Sequence, residues 1–358
     1  MTVVTGAVTV GGERLEVSAP LTLPARATFA GDPGPGNTIL GLSVEAGLDI
    51  DDLAAKLGSP VGAHRKYFVA GDVTTQAKGD AVIRQIVDFA RSCHAAGRLP
   101  VLSTKVPIKS GQSIAASWQA TADGAWDTWW TKLLAGLHGL GKPTHLCAHH
   151  EPNSDGPAPT YAAMYERLYE LGEPYEQHVT VVPILNGYNF IERNANPRAW
   201  VAPRAIAEGR PIMVDNYGQW WTPDKSITTN YEGQNEPYRA HKPADLVLSI
   251  LREILSWGCP AGLAETGVHH NWLDPSQAVT WIDELYGPIL TDPTYARVFY
   301  VSWFWSGANS PRGHWYPDSH QRPVMPLPLD RTSYVDPKDG RLAALRRHWR
   351  SGHYPAVT

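Results

Sequence analysis

The sequence predicts an α/β chain folded as a single (β/α)8 TIM barrel behind a short N-terminal β-type arm. Three observations carry that expectation. A unit of helix stop, proline and apolar strand recurs along the chain. Eight short apolar runs alternate with helical patterns. The length, 358 residues, lies within the roughly 200 to 400 that one such barrel spans once its loops carry insertions.

Taken in order, residues 1–36 read differently from the rest. Val3 to Val17 is rich in Val, Thr and Gly with partial alternation, and Gly31-Asp32-Pro33-Gly34-Pro35-Gly36 follows as a cluster of breakers. These residues are expected to form a β-type arm and linker, and 37–358 the barrel. The recurring unit then appears as Gly97-Arg98-Leu99-Pro100 before Val101, and as Gly141-Lys142-Pro143 before Thr144. It returns as Gly209-Arg210-Pro211 before Ile212, and as Gly258-Cys259-Pro260 before Ala261. Glycine takes the left-handed position after a helix cheaply, and proline stops the helix yet tolerates the start of a strand.

Between these junctions, Asp245–Trp257 shows helical spacing, with Leu246, Ile250, Leu251, Ile254 and Leu255 on one side. The eight strands are expected near Ile39–Val44, Tyr67–Ala70, Val101–Thr104, His145–His149, Val179–Leu185, Ile212–Asp215, Gly262–Ala264 and Val298–Trp303, with a final helix at Leu342–Trp349. An open doubly wound sheet is the alternative, but no G-x-G-x-x-G follows an early strand.

Composition narrows the function. Charged residues make up 18% and apolar residues 43% of the chain, a globular balance, and the net charge of −4 comes without a Lys/Arg stripe. A nucleic-acid partner is therefore not expected. No run is apolar enough to span a bilayer, so no membrane role is expected. Cys93, Cys147 and Cys259 are widely spaced and form no C-x-x-C pair, against a disulfide framework or a structural zinc site. Met1 to Gly6 lacks a basic region leading into an apolar one, so no secretory signal is expected. Fourteen Trp and 15 Tyr stand against 6 Phe, a bias toward rings with a polar handle that suits partly wet surfaces such as sugar-binding clefts.

Barrel chemistry sits at the C-terminal ends of the strands. The fourth strand ends in His149-His150-Glu151-Pro152-Asn153 and the sixth in Asp215-Asn216-Tyr217-Gly218. The seventh ends in Glu265-Thr266-Gly267 and the eighth in Trp303-Phe304-Trp305. Glu151 and Glu265 would face each other across the mouth, as a retaining glycosidase requires of two carboxyl groups about 5–5.5 Å apart. Their shared field and burial would keep one protonated and one ionised.

This arrangement resembles clan A glycoside hydrolases, and within them most the family 26 β-mannanase group, over roughly residues 37 to 350. That group places a His directly before the strand-four acid/base, as His150-Glu151 does here, whereas Pro152 follows the wider clan. The resemblance implies Glu151 as acid/base and Glu265, in Glu265-Thr266-Gly267, as nucleophile. It implies Tyr217 as a hydrogen-bond partner of the nucleophile and Trp303, with Trp305 as second choice, as the floor of the −1 subsite. By residue type, His150 can donate to a sugar hydroxyl or to the acid/base. Asn153, Asn186 and Asn216 offer paired donors and acceptors, although turn and cap roles suit them equally. Trp220 and Trp221 follow strand six in a loop, where sugar stacking competes with packing, while Trp126, Trp129 and Trp130 are expected to pack. No cofactor and no metal is expected, and the partner is a polysaccharide or oligosaccharide.

Two other readings remain open. His149-His150 and His269-His270 stand near the two Glu residues, as a metal-dependent barrel hydrolase could use. Adjacent strand residues, however, point to opposite faces. The second is a non-enzymatic carbohydrate-binding or structural component. The opening Thr2-Val3-Val4-Thr5-Gly6 resembles the starts of actinobacterial phage minor tail proteins, which implies a virion location and other tail proteins as partners. A cytoplasmic location is the alternative.

Overall fold

The computed structural model describes residues 6–10, 13–17, 29–44, 48–68, 75–108, 111–191, 195–218, 243–268, 275–305 and 340–351. Strands β1 (Gly6–Val10) and β2 (Glu13–Val17) pair antiparallel as a hairpin. The remaining strands are β3 (Ile39–Val44), β4 (Ala63–Phe68), β5 (Leu99–Thr104), β6 (Thr144–Cys147), β7 (Val179–Val181), β8 (Ile184–Asn186), β9 (Ile212–Asp215), β10 (Ala261–Thr266) and β11 (Val298–Trp305). They form one parallel sheet in the order β7-β6-β5-β4-β3-β11-β10-β9-β8.

The two ends of that order are one stretch of chain. β7 and β8 are separated only by Val182 and Pro183, and the ladder passes from one neighbour to the other there. Val182 N–H donates to Leu146 O at 2.9 Å, and Pro183 O accepts from Met213 N–H at 3.0 Å. Proline has no N–H to continue a ladder, so the strand is interrupted while the ring closes through it. The fold is thus the expected eight-stranded barrel, with β7 and β8 sharing the fifth position.

The helices are α1 (Ile50–Leu57), α2 (Gln76–Ala95), α3 (Ile114–Ala122), α4 (Asp127–His138), α5 (Ala158–Gly172), α6 (Tyr188–Ile191), α7 (Pro203–Glu208), α8 (Pro243–Ser256), α9 (Pro275–Thr291) and α10 (Gly340–Ser351). Asp49, Thr75 and Ser113 cap α1, α2 and α3 through their side chains. The four junction glycines Gly97, Gly141, Gly209 and Gly258 all have positive φ, between 64° and 83°. The repeated unit read in the sequence is therefore a repeated backbone device.

Two cores follow. Leu40, Leu42, Leu102, Leu146, Val214 and Leu263 face outward onto the helices, with Trp130 and Trp281. A smaller cluster fills the barrel: Ile39, Ala63, Leu99, Val101, Cys147, Ile184, Met213, Ala264, Phe299 and Tyr300. Phe29 plugs the N-terminal end, ring against His145 and Phe299. Trp129 and Trp130 are buried on α4, and Trp126 packs partly buried against them, the packing role expected of all three.

Two sequence expectations are corrected. The second barrel strand is β4 at Ala63–Phe68, not Tyr67–Ala70, so Arg65 lies inside it. Trp303 and Trp305 do not face the barrel interior. In the β11–β3 register Trp303 lies beside Leu42 and Phe304 beside Ser43. Directly paired residues of parallel strands share a face, so Trp303 and Trp305 join the outer core, where they are buried.

Candidate active site

Glu265 sits on β10, where strict alternation would turn it outward, because Ala264 already belongs to the inner cluster. The β10–β9 register breaks between Leu263 and Glu265. A bulge adds one residue to one strand and re-aims the side chain that follows, and here it turns the carboxylate into the barrel mouth. There Ser43 Oγ donates to Glu265 Oε1 at 2.8 Å, and the Tyr217 phenol donates to Oε2. Arg65 Nη1 lies 3.5 Å from Oε1. Burial pushes the Glu265 carboxyl up from its ordinary range, while Arg65 and the Ser43 hydrogen bond pull it back.

Glu151 approaches from the end of β6. It is the one non-glycine residue with positive φ among the described residues, at φ 53° and ψ 57°. A left-handed conformation costs an L-residue roughly 1–2 kcal/mol, so the surroundings must hold it. Glu151 N–H donates to Ile184 O at 3.0 Å, and Pro152 starts a short 3-10 helix directly behind it. His149 Nε2 and Asp155 Oδ2, 2.7 Å apart, clasp the loop from both sides. Asn186 Nδ2 donates to Glu151 Oε1 at 2.6 Å. Burial, reinforced by the charge of Asp215, pushes Glu151 up to about 7, against Arg65 and Asn186, which pull it down.

Between the two lies a pair that the sequence reading left without a role. Arg65 holds Asp215 through both terminal nitrogens, at 2.6 and 3.0 Å, and both side chains are fully buried. A guanidinium stays charged in a protein, so the bidentate geometry calls for an ionised Asp215, although burial pushes that carboxyl up. Arg65 also lies over the Tyr67 ring at 4.8 Å.

The remaining candidates separate. Tyr217 reaches Glu265 as the resemblance implied, and Phe304 lies edge-on to its ring at 5.9 Å. His150 meets the Tyr67 ring at 4.9 Å, and burial, with Arg65 nearby, holds it well below the usual imidazole range, so it is neutral. Asn186 contacts the acid/base candidate itself. Asn216 acts in the turn: its N–H donates to Glu265 O at 3.0 Å and its Oδ1 accepts from Tyr217 N–H at 3.0 Å. Asn153 is half-buried in the 3-10 helix after Glu151. Trp220, Trp221, His269 and His270 lie outside the described residues, as do Thr2 to Thr5. His149 and His150 have different partners, and among the described residues no group of three or more His, Cys, Asp or Glu is placed to hold a metal ion. Sequence reasoning missed Arg65, Ser43, Tyr67 and the inward ring of Phe304. Alternation from Ala63 through Arg65 to Tyr67 was the available signal for the first and third.

No family model and no curated protein matches the chain. Solved structures do. An endo-beta-1,4-glucanase from Xanthomonas axonopodis pv. citri aligns with TM-score 0.58 at 11% identity, over 87% of this chain and 99% of its own. XacCel5A aligns with TM-score 0.55 at 13% identity, over 88% and 99%. Thermotoga maritima Cel5A, solved with mannotriose, aligns with TM-score 0.54 at 10% identity, over 87% and 98%. The chain shares the (β/α)8 barrel fold of these three structures. At these identities the likeness is one of fold.

Proposed function

We propose that this protein is a retaining glycoside hydrolase that cleaves a polysaccharide by double displacement. The observation that carries the reading is the division of labour between a half-buried carboxyl, Glu151, and a buried one, Glu265. Glu151 is pushed up to about 7 and is half protonated near neutrality. Glu265 accepts from Ser43 and Tyr217 and lies beside Arg65; burial pushes its carboxyl up, and Arg65 and Ser43 act against that push in favour of the anion.

In the first step Glu265 attacks the anomeric carbon while Glu151 gives its proton to the departing glycosidic oxygen. Tyr217 and Ser43 fix the attacking carboxylate, so little reorientation is needed. In the second step Glu151, now ionised, takes a proton from water, and the hydroxide released displaces Glu265 from the sugar with configuration restored. His150 and Asn153 are assigned to substrate hydroxyls, and Phe304 replaces Trp303 as the apolar surface beneath the reacting sugar. Trp221 remains a proposed sugar-stacking residue. Hydrolysis of a glycan panel, comparing wild type with Glu151→Gln and Glu265→Gln, tests the reading. Both variants are expected to lose about 10²-fold or more in rate, and near-normal activity in either would refute its role. The resemblance at Thr2–Gly6 adds a setting, a tail-borne enzyme acting on a host's surface glycan. Proteomics of purified virions without this protein would remove it.

A further inference from the structure

We propose that Asp215 is the positioning residue of this site: its carboxylate holds Arg65 beside Glu265 rather than on it, and sets a fixed negative charge within electrostatic reach of Glu151. The inference rests on Glu151 and Glu265 being the reacting pair. A guanidinium offers carboxylates two bidentate faces, one through Nη1 and Nη2 and one through Nε and an Nη, and the face that Asp215 takes is the one whose Nη1 lies next to Glu265. Here Asp215 occupies it at 2.6 and 3.0 Å, while Glu265 is met by Nη1 alone, at 3.5 Å. Were Glu265 to take that face, its lone pairs would be bound in a tight ion pair and its nucleophilicity lowered. With Asp215 in place, Glu265 keeps two neutral donors and a single guanidinium nitrogen at 3.5 Å.

The same carboxylate acts on the other side of the site. Around Glu151 stand Asp215 from β9, Arg65 from β4, Asn186 from β8, Asp155 from its own loop and the neutral His150. Around Glu265 stand Arg65, Ser43 from β3 and Tyr217 after β9. Asp215 raises Glu151 more than Arg65 lowers it. One buried anion thus favours the protonated state of the acid and leaves the nucleophile unclamped, although it touches neither sugar nor reacting atom. Register gives it this place: Asp215 is paired with Glu265 across the β9–β10 ladder and with Asn186 across the β8–β9 ladder. That Asn186 is the residue whose Nδ2 binds Glu151 Oε1 at 2.6 Å. Nothing in the sequence context of Asp215, Val214-Asp215-Asn216, marks it as different from a turn residue.

The test reads the two carboxyl groups directly and needs no substrate. Full-length protein carrying 13C at glutamate Cδ is titrated by NMR, with Glu151→Gln and Glu265→Gln assigning the resonances. In Asp215→Asn, Glu151 and Glu265 are both expected to titrate lower by about one pH unit or more, Glu265 because Arg65 swings onto it. A role confined to structure would leave both midpoints unmoved in a folded variant, and that result overturns the inference. If Asp215→Asn does not fold, the charge-balanced pair Arg65→Gln with Asp215→Asn leaves no uncompensated buried charge. There Glu151 is expected to hold or fall. A rise, the result of losing Arg65 alone, would show that Asp215 contributes nothing. Activity that survives in Glu151→Gln or Glu265→Gln refutes the proposed function instead, whatever the titrations show.

Discussion

Tyr217, two residues beyond Asp215 at the end of β9, donates its phenol to Glu265 Oε2 across the β9–β10 ladder, while Ser43 donates to the other oxygen at 2.8 Å. The two donors arrive from opposite sides of the strand that carries Glu265, so together they fix the plane of its carboxylate. A hydrogen bond to a charged group contributes about 1.5–3 kcal/mol. Tyr217→Phe is therefore expected to lower kcat about 10- to 100-fold while KM moves little, since the ring and its contact with Phe304 persist. Steady-state kinetics on the most active glycan of the panel checks this. A KM effect with kcat intact would place Tyr217 on the sugar instead.

The pH dependence follows from Glu151. Its proton must be present for the leaving group to depart, and its carboxyl is pushed up to about 7 by burial and by Asp215. The basic limb of kcat/KM is expected near pH 7 rather than near the ordinary carboxylate range, with activity falling above it. In Glu151→Gln that limb should vanish from the residual rate. A basic limb that survives the substitution unchanged would belong to another group.

The same shift bears on stability. Glu151 binds its proton more tightly folded than unfolded. Its favourable contribution is therefore complete below the unfolded value of 4.5 and is lost as pH rises through about 7. Above that the folded protein carries a poorly solvated anion, at a cost of up to about 3 kcal/mol. Glu151→Gln, isosteric and uncharged, is expected to melt higher than wild type at pH 8, with the gap closing toward pH 4. Equal Tm values at pH 8 would show that the site solvates the anion fully.

Two aromatic neighbours separate packing from function. Trp303 is fully buried in the outer core beside Leu42, whereas Phe304 faces inward beside Ser43. Trp303→Ala is expected to destabilise the fold by about 3–5 kcal/mol. Phe304→Ala is expected to raise KM with a much smaller loss of stability. Denaturant unfolding and kinetics on the two variants check the assignment, and the reverse pattern would return Trp303 to the cleft.

That exchange shows where the sequence was legible. Glycine-then-proline junctions reported four of the helix-to-strand turns because each of those glycines takes the left-handed conformation there. The two Glu residues were legible because short motifs flank them. The parity of a strand was not, since a one-residue offset moves every side chain to the other face and bulges leave no mark in composition. His64-Arg65-Lys66 conceals β4 for a related reason. Arg65 can lie in a barrel interior only because Asp215, 150 residues away in sequence, meets it there, and no local pattern announces a partner at that distance.

The floor of the barrel gives a prediction independent of the chemistry. Gly31 has φ 81°, and a Cβ there would stand 2.9 Å from His145 Nε2 and 3.1 Å from Leu99 Cδ1. His145 Nε2 is bound to Ala30 O at 2.9 Å, and Thr180 Oγ1 donates to that same oxygen at 2.9 Å. Gly31→Ala must therefore both strain the backbone and displace Leu99 and His145, the second of which anchors Ala30. A loss of roughly 2–3 kcal/mol is expected, read as a lower denaturation midpoint at unchanged slope. Gly36→Ala is the control: its φ is 75° but nothing lies within 4 Å of the added carbon, so only the backbone strain, about 1 kcal/mol, remains. Leu99, His145 and Thr180 stand at the N-terminal ends of β5, β6 and β7 or one residue inside them, the end opposite Glu151 and Glu265. The rate at saturating substrate should hold in both variants. Equal stability losses would mean that residues 29–31 do not anchor to the floor at all.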